Sequence, residues 1–266
     1  MSVPAMKNSP LPFLLVWLAG WCLALPTHAG TPVLLTAKEA KEVLPPVITP
    51  EENPWHLSAG LFWRQMEGLS TKMNIETDLG FFARNQQTEL DGPGAFLMLE
   101  SPALLKRGPA ALTFSLMYSW AGMDDLNRAY ELPGRTVWQQ FSLDLHTVSI
   151  GPRFTFETPK VRLSSSAGFA MNWARWQTTS IMTRIPPGAL LRASNGASDT
   201  YLPGFYLDAI AQVRLTKKWS VLLGGRYDWV SSASSMQTRQ VFGNSVISVQ
   251  PKLSGWSALV GLTYQF

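Results

Sequence analysis

The sequence is poor in charged residues and almost without cysteine. Charged side chains make up 15 % of its 266 residues, against roughly 25 % in soluble domains. A single cysteine excludes a disulfide-stapled scaffold, and a hydrophobic fraction of 46 % excludes a disordered or collagen-like chain. Aromatic residues, serine and glycine replace the missing charge, without an apolar run that could span a membrane as a helix.

No motif for a metal, a cofactor or nucleic acid is present in the sequence. The formal net charge is +4 and the pI is about 9.3, but the basic residues form no run, which argues against a nucleic-acid partner. There is no glycine-rich loop that could cradle a phosphate and no cluster with metal-ligand spacing. The sequence therefore predicts neither a cofactor nor a metal site.

The first 29 residues have the three parts of a secretory signal peptide. A short segment with Lys7 precedes fifteen uncharged, mostly apolar residues at 11–25, and a break at 26–29 ends in the small residue Ala29. We predict cleavage after Ala29. An anchoring helix would need roughly 20 apolar residues, and a lipoprotein site at Cys22 would need a small residue where Trp21 stands.

Residues 30–54 differ in composition from the rest of the chain. They contain five prolines and one short charged patch at 38–42, which predicts a proline-rich periplasmic tether at the N-terminus. The remaining residues, 55–266, form the predicted barrel domain. After cleavage the chain would keep no cysteine and two histidines, His56 and His146.

From Trp55 onward, apolar and polar residues alternate in eight segments of about ten residues. One face carries Leu, Val, Phe, Trp and Met, and the other carries Ser, Thr, Gly, Asn, Arg and Asp, as in half-buried β-strands. In the fourth segment the apolar phase changes after His146, which suggests a β-bulge. The segments are 55–64, 73–81, 112–120, 141–156, 162–173, 205–216, 220–229 and 256–266.

Segment length and connection length favour a membrane barrel over a soluble β-sandwich. Sandwich strands average ~5–6 residues, whereas tilted membrane strands need ~9–11. The connections at 157–160 and 216–219 are short, while those at 121–137, 178–200 and 231–252 are long and polar. Short periplasmic turns and long extracellular loops are typical of outer-membrane barrels, in which the apolar face points outward to lipid.

The C-terminal octapeptide carries a family resemblance. Gly261, Tyr264 and the terminal Phe266 match the C-terminal β-signal of bacterial outer-membrane proteins, whereas Leu259 stands where a polar residue is expected. With the signal peptide and the eight segments, the chain resembles the small outer-membrane β-barrel proteins of the porin-like superfamily. The resemblance implies recognition by the barrel-assembly machinery through the last strand and insertion into the lipid of the Gram-negative outer membrane. A slight excess of cationic residues in the long connections suggests contact with the phosphates of lipopolysaccharide.

One stretch does not fit a simple count of eight strands. If the C-terminus is periplasmic, residues 84–110 should form a short periplasmic turn, but they number about 27 and include the apolar run 95–99, while the connection at 67–70 is very short for an external loop. We therefore expect an all-β, closed antiparallel barrel of eight strands, with ten as the alternative, because barrels of this class have even strand numbers.

The polar face predicts a network of charges inside the barrel. An eight-stranded barrel is just wide enough to be filled by side chains, and charges of both signs in similar number favour mutual pairing in a plug over a narrow ion path. The predicted network comprises Arg64, Glu76, Asp78, Asp144, His146, Arg162, Asp208, Arg214, Arg226 and Asp228.

These observations favour a non-enzymatic structural or surface-exposed barrel, with a monomer as the favoured state. The alternative is a small porin-like diffusion channel, and a soluble secreted β-protein comes after it. A lipid-modifying or proteolytic barrel enzyme is the remaining hypothesis, because Asp144 and His146 lie two residues apart with Ser142 and Ser149 as conceivable nucleophiles. Such spacing is common by chance, so we predict no catalytic residue.

Overall fold

A computed structural model gives the structure of the protein and describes residues 54–77, 80–132, 135–184, 190–233, 236–239 and 246–266. The predicted signal peptide and, apart from Pro54, the predicted tether lie outside these residues. The described part contains no helix that is long and apolar enough to cross a membrane. Its strands are β1 (His56–Thr77), β2 (Gly80–Glu100), β3 (Leu105–Arg107), β4 (Ala110–Leu132), β5 (Arg135–Glu157), β6 (Val161–Arg184), β7 (Leu190–Arg214), β8 (Trp219–Val230), β9 (Met236–Arg239) and β10 (Val246–Gln265).

Eight long strands close into one antiparallel barrel. The hydrogen-bonded order is β1-β2-β4-β5-β6-β7-β8-β10, and β10 pairs with β1 from His56↔Gln265 to Asn74↔Val246. The short strand β3 pairs only with β4, and β9 pairs with β10. The predicted closed antiparallel barrel of eight strands is confirmed, and the alternative of ten wall strands is wrong.

The residues that complicated the strand count belong to a β-hairpin. Residues 84–100, including the apolar run 95–99, are most of β2, and only 101–109 form the connection at that end. The predicted segment 73–81 is the tip of the β1–β2 hairpin, since Thr77 pairs with Gly80. The alternation continued through this tip in the sequence, which is why the pattern did not mark the turn there.

The wall strands are longer than a membrane requires. Apart from the twelve-residue β8, they contain 20 to 25 residues, about twice the ~9–11 of a tilted membrane strand. Of the connections expected to be long polar loops, 121–137 and 178–200 are therefore largely strand, and 231–252 contains strand at 236–239 and 246–252, so the expectation of long loops is wrong there. Their polar composition indicates strands in water on their outer face, not loops.

An apolar band bounded by aromatic residues surrounds the barrel. Trp55 and Trp219 lie on the outer surface at one end of the barrel, which we call the turn end. Trp63 and Trp229 lie on the same surface further along β1 and β8. Eight and ten residues separate the two pairs, or ~20–25 Å along the axis for strands tilted by ~40°. Between them the exposed side chains are Leu, Val, Ile, Phe and Met, a band that matches the hydrocarbon thickness of an outer membrane.

The polarity of the two faces reverses beyond the band. We call this part the extension; it comprises the described residues within 65–91, 122–145, 174–200 and 231–254. Here most outward side chains are polar, such as Gln65 and Gln177, although Phe81 and Trp138 are exposed as well. Met66, Leu143 and Trp176 are buried inside. Polar side chains outside and apolar side chains inside indicate that the extension has its outer face in water and a packed core within.

This reversal corrects the bulge that was predicted in the fourth segment. In β5, alternate residues from Phe141 to Thr155 are all buried on the inner face, so the strand keeps one phase. Its apolar residues change face because the outer environment changes near His146. The register shifts of the wall lie elsewhere, between Met66 and Leu69 in β1, between Met123 and Leu126 in β4, and between Met182 and Thr183 in β6.

Candidate functional site: the barrel interior

The layer of buried charge closest to the turn end joins β2 and β6. Arg162 donates hydrogen bonds to both carboxylate oxygens of Glu100, and its Nη1 also lies 3.5 Å from Gln212 Oε1. Thr113 Oγ1 donates to Glu100 Oε1 over 2.7 Å. The carboxylate is thus held by a bidentate arginine and a hydroxyl, which satisfies a charge that would be costly to bury alone.

A second layer of buried charge lies deeper in the barrel and joins β5, β6 and β7. Arg153 Nη2 donates to Asp208 Oδ2 over 2.8 Å, and the two Nη atoms of Arg153 also reach the hydroxyls of Ser164 and Ser166 at 3.1 and 3.2 Å. Ser166 in turn donates to Asp208 through both its amide and its hydroxyl. Because the side chains of β6 at this point are small serines, the long arginine of β5 reaches Asp208 of β7 past the intervening strand.

The third layer is a triad of two arginines and one aspartate. Arg226 donates to Asp228 Oδ1 through Nε at 3.0 Å and Nη2 at 2.7 Å, and Arg64 Nη1 lies 3.2 Å from Asp228 Oδ2. The guanidinium of Arg226 also stacks over the Tyr206 ring, 4.2 Å from its centroid. One carboxylate therefore holds two guanidinium groups, and the aromatic face offsets part of the surplus positive charge.

Above the triad, the interior of the extension is apolar. The rings of Phe141 and Trp176 lie 5.9 Å apart, and they belong to a buried cluster that runs from β1 round to β10. A short polar chain crosses it, from Thr71 Oγ1 through Gln139 to Thr178 Oγ1, with both hydrogen bonds at 3.4 Å. Thr71 in β1 thus contacts Gln139 in β5 directly, so side chains close the space between distant strands. The cluster contains Phe62, Met66, Leu69, Leu90, Met98, Met123, Phe141, Leu143, Leu145, Ala174, Trp176, Leu202, Val249 and Leu253.

A cavity of about 460 Å³ opens at the turn end. Its wall includes His56, Lys106 and Thr155, and the half-exposed ion pair of Arg214 with Glu157 stands at its rim. Arg162 lines its inner end and is itself buried. The cavity therefore stops at the first charge layer.

The structure places five of the ten residues of the predicted network inside the barrel. Arg64, Arg162, Asp208, Arg226 and Asp228 are buried in the interior, and Arg214 lies at the rim of the cavity. The side chain of Glu76 and the whole of Asp78 lie outside the described residues. The prediction did not include Glu100 and Arg153, although each is the main partner of a predicted residue.

Asp144 and His146 do not belong to the interior, and their assignment to the network is wrong. Both lie on the outer surface, because β5 keeps its phase while its apolar residues change face. His146 Nδ1 lies 2.8 Å from Tyr118 Oη, and its ring stacks 5.1 Å from Trp173. Tyr118, His146 and Trp173 form a row of rings on the outer surface, which we call the outer aromatic row, and Asp144 lies on the same face of β5.

Within the described residues, His146 is hydrogen-bonded to neither conceivable nucleophile, although Ser142 lies on the same outer face of β5. Ser149 is buried in the interior, where Arg226 donates to its hydroxyl, on the opposite side of the wall from His146. The partner of His146 Nδ1 is a tyrosine hydroxyl, not Asp144. Within the described residues there is also no group of three or more His, Cys, Asp or Glu that could hold a metal ion.

The closed eight-stranded barrel, its apolar band and its aromatic rows define this chain as a small β-barrel protein of the outer-membrane type. No protein-family model matches it, and no curated protein matches it. Among solved structures it is similar to the outer membrane protein OprG from Pseudomonas aeruginosa, with 8 % identity over 80 % of this chain and 96 % of that chain and a TM-score of 0.48.

Two further solved structures are similar at the same level. The outer membrane protease OmpT from Escherichia coli shares 10 % identity over 81 % of this chain and 97 % of its own, with a TM-score of 0.45. A major outer membrane protein from Thermus thermophilus shares 16 % identity over 80 % of this chain and 99 % of its own, with a TM-score of 0.43. This similarity is one of fold.

Proposed function

We propose that this protein is a non-enzymatic barrel of the bacterial outer membrane, closed to solutes by its own side chains, that displays the extension at the cell surface. The observation that carries the proposal is the filled interior. Four arginines and three carboxylates, in three stacked layers, are each at most 5 % exposed, and an apolar cluster fills the space above them. An eight-stranded barrel has just the width for such filling.

The orientation of the barrel follows from its two ends. The turn end carries the short connections at 158–160 and 215–218 and the last residue, Phe266, whose amide donates to Trp55 O. Short turns and the C-terminus face the periplasm in outer-membrane barrels, which supports an external position for the extension. This orientation also fits export through a signal peptide that is cleaved after Ala29.

The last strand and the outer surface support the proposed partners. Tyr264 faces outward and contacts the ring of Trp219 at 4.9 Å, while Gly261 lets Ala59 O approach where a Cβ would come within 2.5 Å. A strand with this form is suited to recognition by the barrel-assembly machinery. Lipid and lipopolysaccharide would contact the band and the outer aromatic row, and we propose a monomer in the membrane.

Conductance across a planar lipid bilayer tests the closed interior. Folded protein, verified by heat-modifiable migration on a denaturing gel, is expected to give no steady conductance and no solute-dependent swelling of liposomes. A steady, large conductance from folded protein would overturn the proposal in favour of the diffusion channel.

A matched variant makes this test sharper. Replacing the rim pair, Arg214→Ala with Glu157→Ala, widens the cavity at the turn end but leaves the three layers in place. This variant is expected to remain as silent as the wild type. If it changed ion selectivity or conductance, ions would be passing the rim, and the interior would be a path.

A further inference from the structure

The wall of the extension is interrupted between β2 and β4. These two strands pair over seven residues each, from Gly94↔Ala121 to Glu100↔Ser115. On their other sides the pairing continues to the hairpin tips, as far as Thr77↔Gly80 in β1–β2 and Leu132↔Arg135 in β4–β5. Residues 80–93 and 122–132 therefore have a paired neighbour on one side only. We call this gap in the hydrogen bonding the seam.

The two strands still touch at the base of the seam. A Cβ added to Gly92 would lie 2.7 Å from Gly122 O and 2.8 Å from Met123 Cγ, so the backbones are in close contact there. Just beyond, the register of β4 against β5 shifts between Met123 and Leu126. A bulge bends the strand that contains it, and the pairing of β2 with β4 ends close to this bulge.

On the opposite side of the extension, hydrogen bonds hold the chain after β8 to β10 and, at one point, to β7, while residues 190–203 of β7 have β6 as their paired neighbour among the described residues. Where β8 ends, Ser231 N donates to Pro203 O of β7 over 3.1 Å. Ser254 Oγ accepts from Val230 N at 3.0 Å, and Gln250 Nε2 donates to Ala233 O at 2.8 Å, so the chain after β8 is held to β10. Within the described residues, the backbone pairing of β2 with β4 ends at Gly94↔Ala121, below the seam.

The β2 edge of the seam has little of the usual protection of an edge strand. Such edges are normally blocked by charged side chains, especially lysine, by proline or by a bulge, and residues 80–92 contain three charged residues, Arg84, Glu89 and Asp91. Residues 80–92 contain neither lysine nor proline, and their pairing with β1 keeps a single register from Leu69↔Thr88 to Thr77↔Gly80. From Gly80 to Thr88 the edge is free of a register shift and can accept an added strand through its backbone groups, while the bulge of β1 lies opposite Glu89 at its base.

The charge beside this edge selects the partner. Glu67, Glu89 and Asp91 are exposed on the outer face of β1 and β2 near the base of the seam, where Gln65 Nε2 lies 3.4 Å from Glu89 Oε2. Lys72 is an exposed cation on the same face. A second copy paired through this edge would bring the same carboxylates together, and like charges on neighbouring strands repel. A basic strand is complementary.

We propose that residues 80–92 of β2 bind an extended peptide with Lys or Arg at alternating positions, which adds a strand to the open edge at the seam. Backbone hydrogen bonds supply the pairing, and the carboxylates of Glu67, Glu89 and Asp91 select the basic side chains. The inference rests on the proposed function in one respect: the extension must face the outside for an extracellular peptide to reach it.

The experiment uses the full chain in lipid nanodiscs and a labelled peptide of alternating lysine and valine. We expect saturable binding by fluorescence anisotropy that weakens with salt, and at least about tenfold weaker binding to the variant Glu67→Gln, Glu89→Gln, Asp91→Asn. The same peptide with alternate backbone nitrogens methylated keeps its charge but cannot pair as a strand, so it should not bind. Equal binding of the methylated peptide would overturn the proposal, because charge alone would then suffice.

Site-specific photo-crosslinking locates the added strand. A crosslinker at Gln87, on the outer face of β2, is expected to capture the peptide. One at Gln177, on the outer face of β6 with paired neighbours on both sides, is not. Equal capture at both positions, or dimers of the chain crosslinked through position 87 in place of the peptide, would overturn the proposal.

Labelling on intact cells separates this inference from the proposed function. The variant Gln87→Cys should react with a membrane-impermeant maleimide, and Thr216→Cys at the turn end should not. If position 87 is labelled but the peptide fails to bind in nanodiscs, the docking edge is wrong while the orientation stands. If the peptide binds in nanodiscs but position 87 is protected on cells, the orientation fails.

Discussion

The arginines inside the barrel show how burial changes the energy of an ion pair. Arg153 and Asp208 form a pair whose side chains are 1 and 2 % exposed, whereas Arg175 and Asp199 form one on the outer surface at 55 and 53 %. Both have good geometry. In the interior, loss of one partner leaves the other charge buried without water or a counter-ion, which is costly. At the surface, water and salt replace a lost partner.

The two pairs make a matched prediction for stability. Arg153→Ala should lower the free energy of unfolding by about 3–5 kcal/mol, because it leaves Asp208 buried without its cation. Arg175→Ala should cost about 0–1 kcal/mol. Urea unfolding in lipid vesicles, followed by tryptophan fluorescence, measures both. Equal losses would contradict the dry, filled interior, and Arg153→Met with Asp208→Leu should recover most of the loss.

The sequence predicted part of this interior, and the misses have physical causes. Arg64, Asp208 and Arg226 follow from simple alternation in strands whose outer face is apolar. Arg153 was missed because the apolar residues of β5 change face near His146, which hid the true phase. Glu100 was missed because its segment was taken as a connection. No single-strand pattern could show that Thr71 meets Gln139 across the barrel, since that contact depends on the barrel's closure.

At the scale of the strand, the phase of hydrophobicity reports the environment of the outer face. β5 has apolar residues outward at Val148, Ile150 and Phe154, and inward at Phe141 and Leu143. The period stays at two while the apolar side switches, which marks where the strand leaves the lipid. The switch of phase, which resembles a bulge in the sequence, is therefore a signal for the membrane boundary, and it could have been used to predict the extension.

The bulge in β1 leads to a stability prediction that rests on the backbone conformation of one glycine. Gly68 has φ of 113°, and an added Cβ would lie 1.6 Å from Thr88 O. Gly68→Ala should therefore destabilise the barrel by about 2–4 kcal/mol. Gly225→Ala is the control, because a Cβ there meets nothing within 4 Å. Urea midpoints in vesicles compare them, and a tolerated Gly68→Ala would refute the bulge.

At the scale of the whole molecule, closure determines what the apolar surfaces can do. A soluble sandwich with these strands would bury its apolar rows between two sheets. In the barrel, β10 returns to β1, so no free edge remains within the band, and the exposed Leu, Phe and Val rows require a lipid environment. Composition and strand length predicted this architecture. They did not predict that the barrel continues past the membrane with the opposite polarity.

The accessibility of spin labels at neighbouring residues on opposite faces of the wall tests most directly whether the apolar outer face meets lipid. Leu61 and Leu223 are 64 and 55 % exposed, while their neighbours Phe62 and Leu222 are 6 and 0 % exposed. In lipid vesicles, labels at 61 and 223 should collide with dissolved oxygen but not with a water-soluble nickel complex. Labels at 62 and 222 should be shielded from both. Labels at 61 and 223 that are shielded from oxygen, as between two stacked sheets, would contradict a barrel whose apolar face meets lipid.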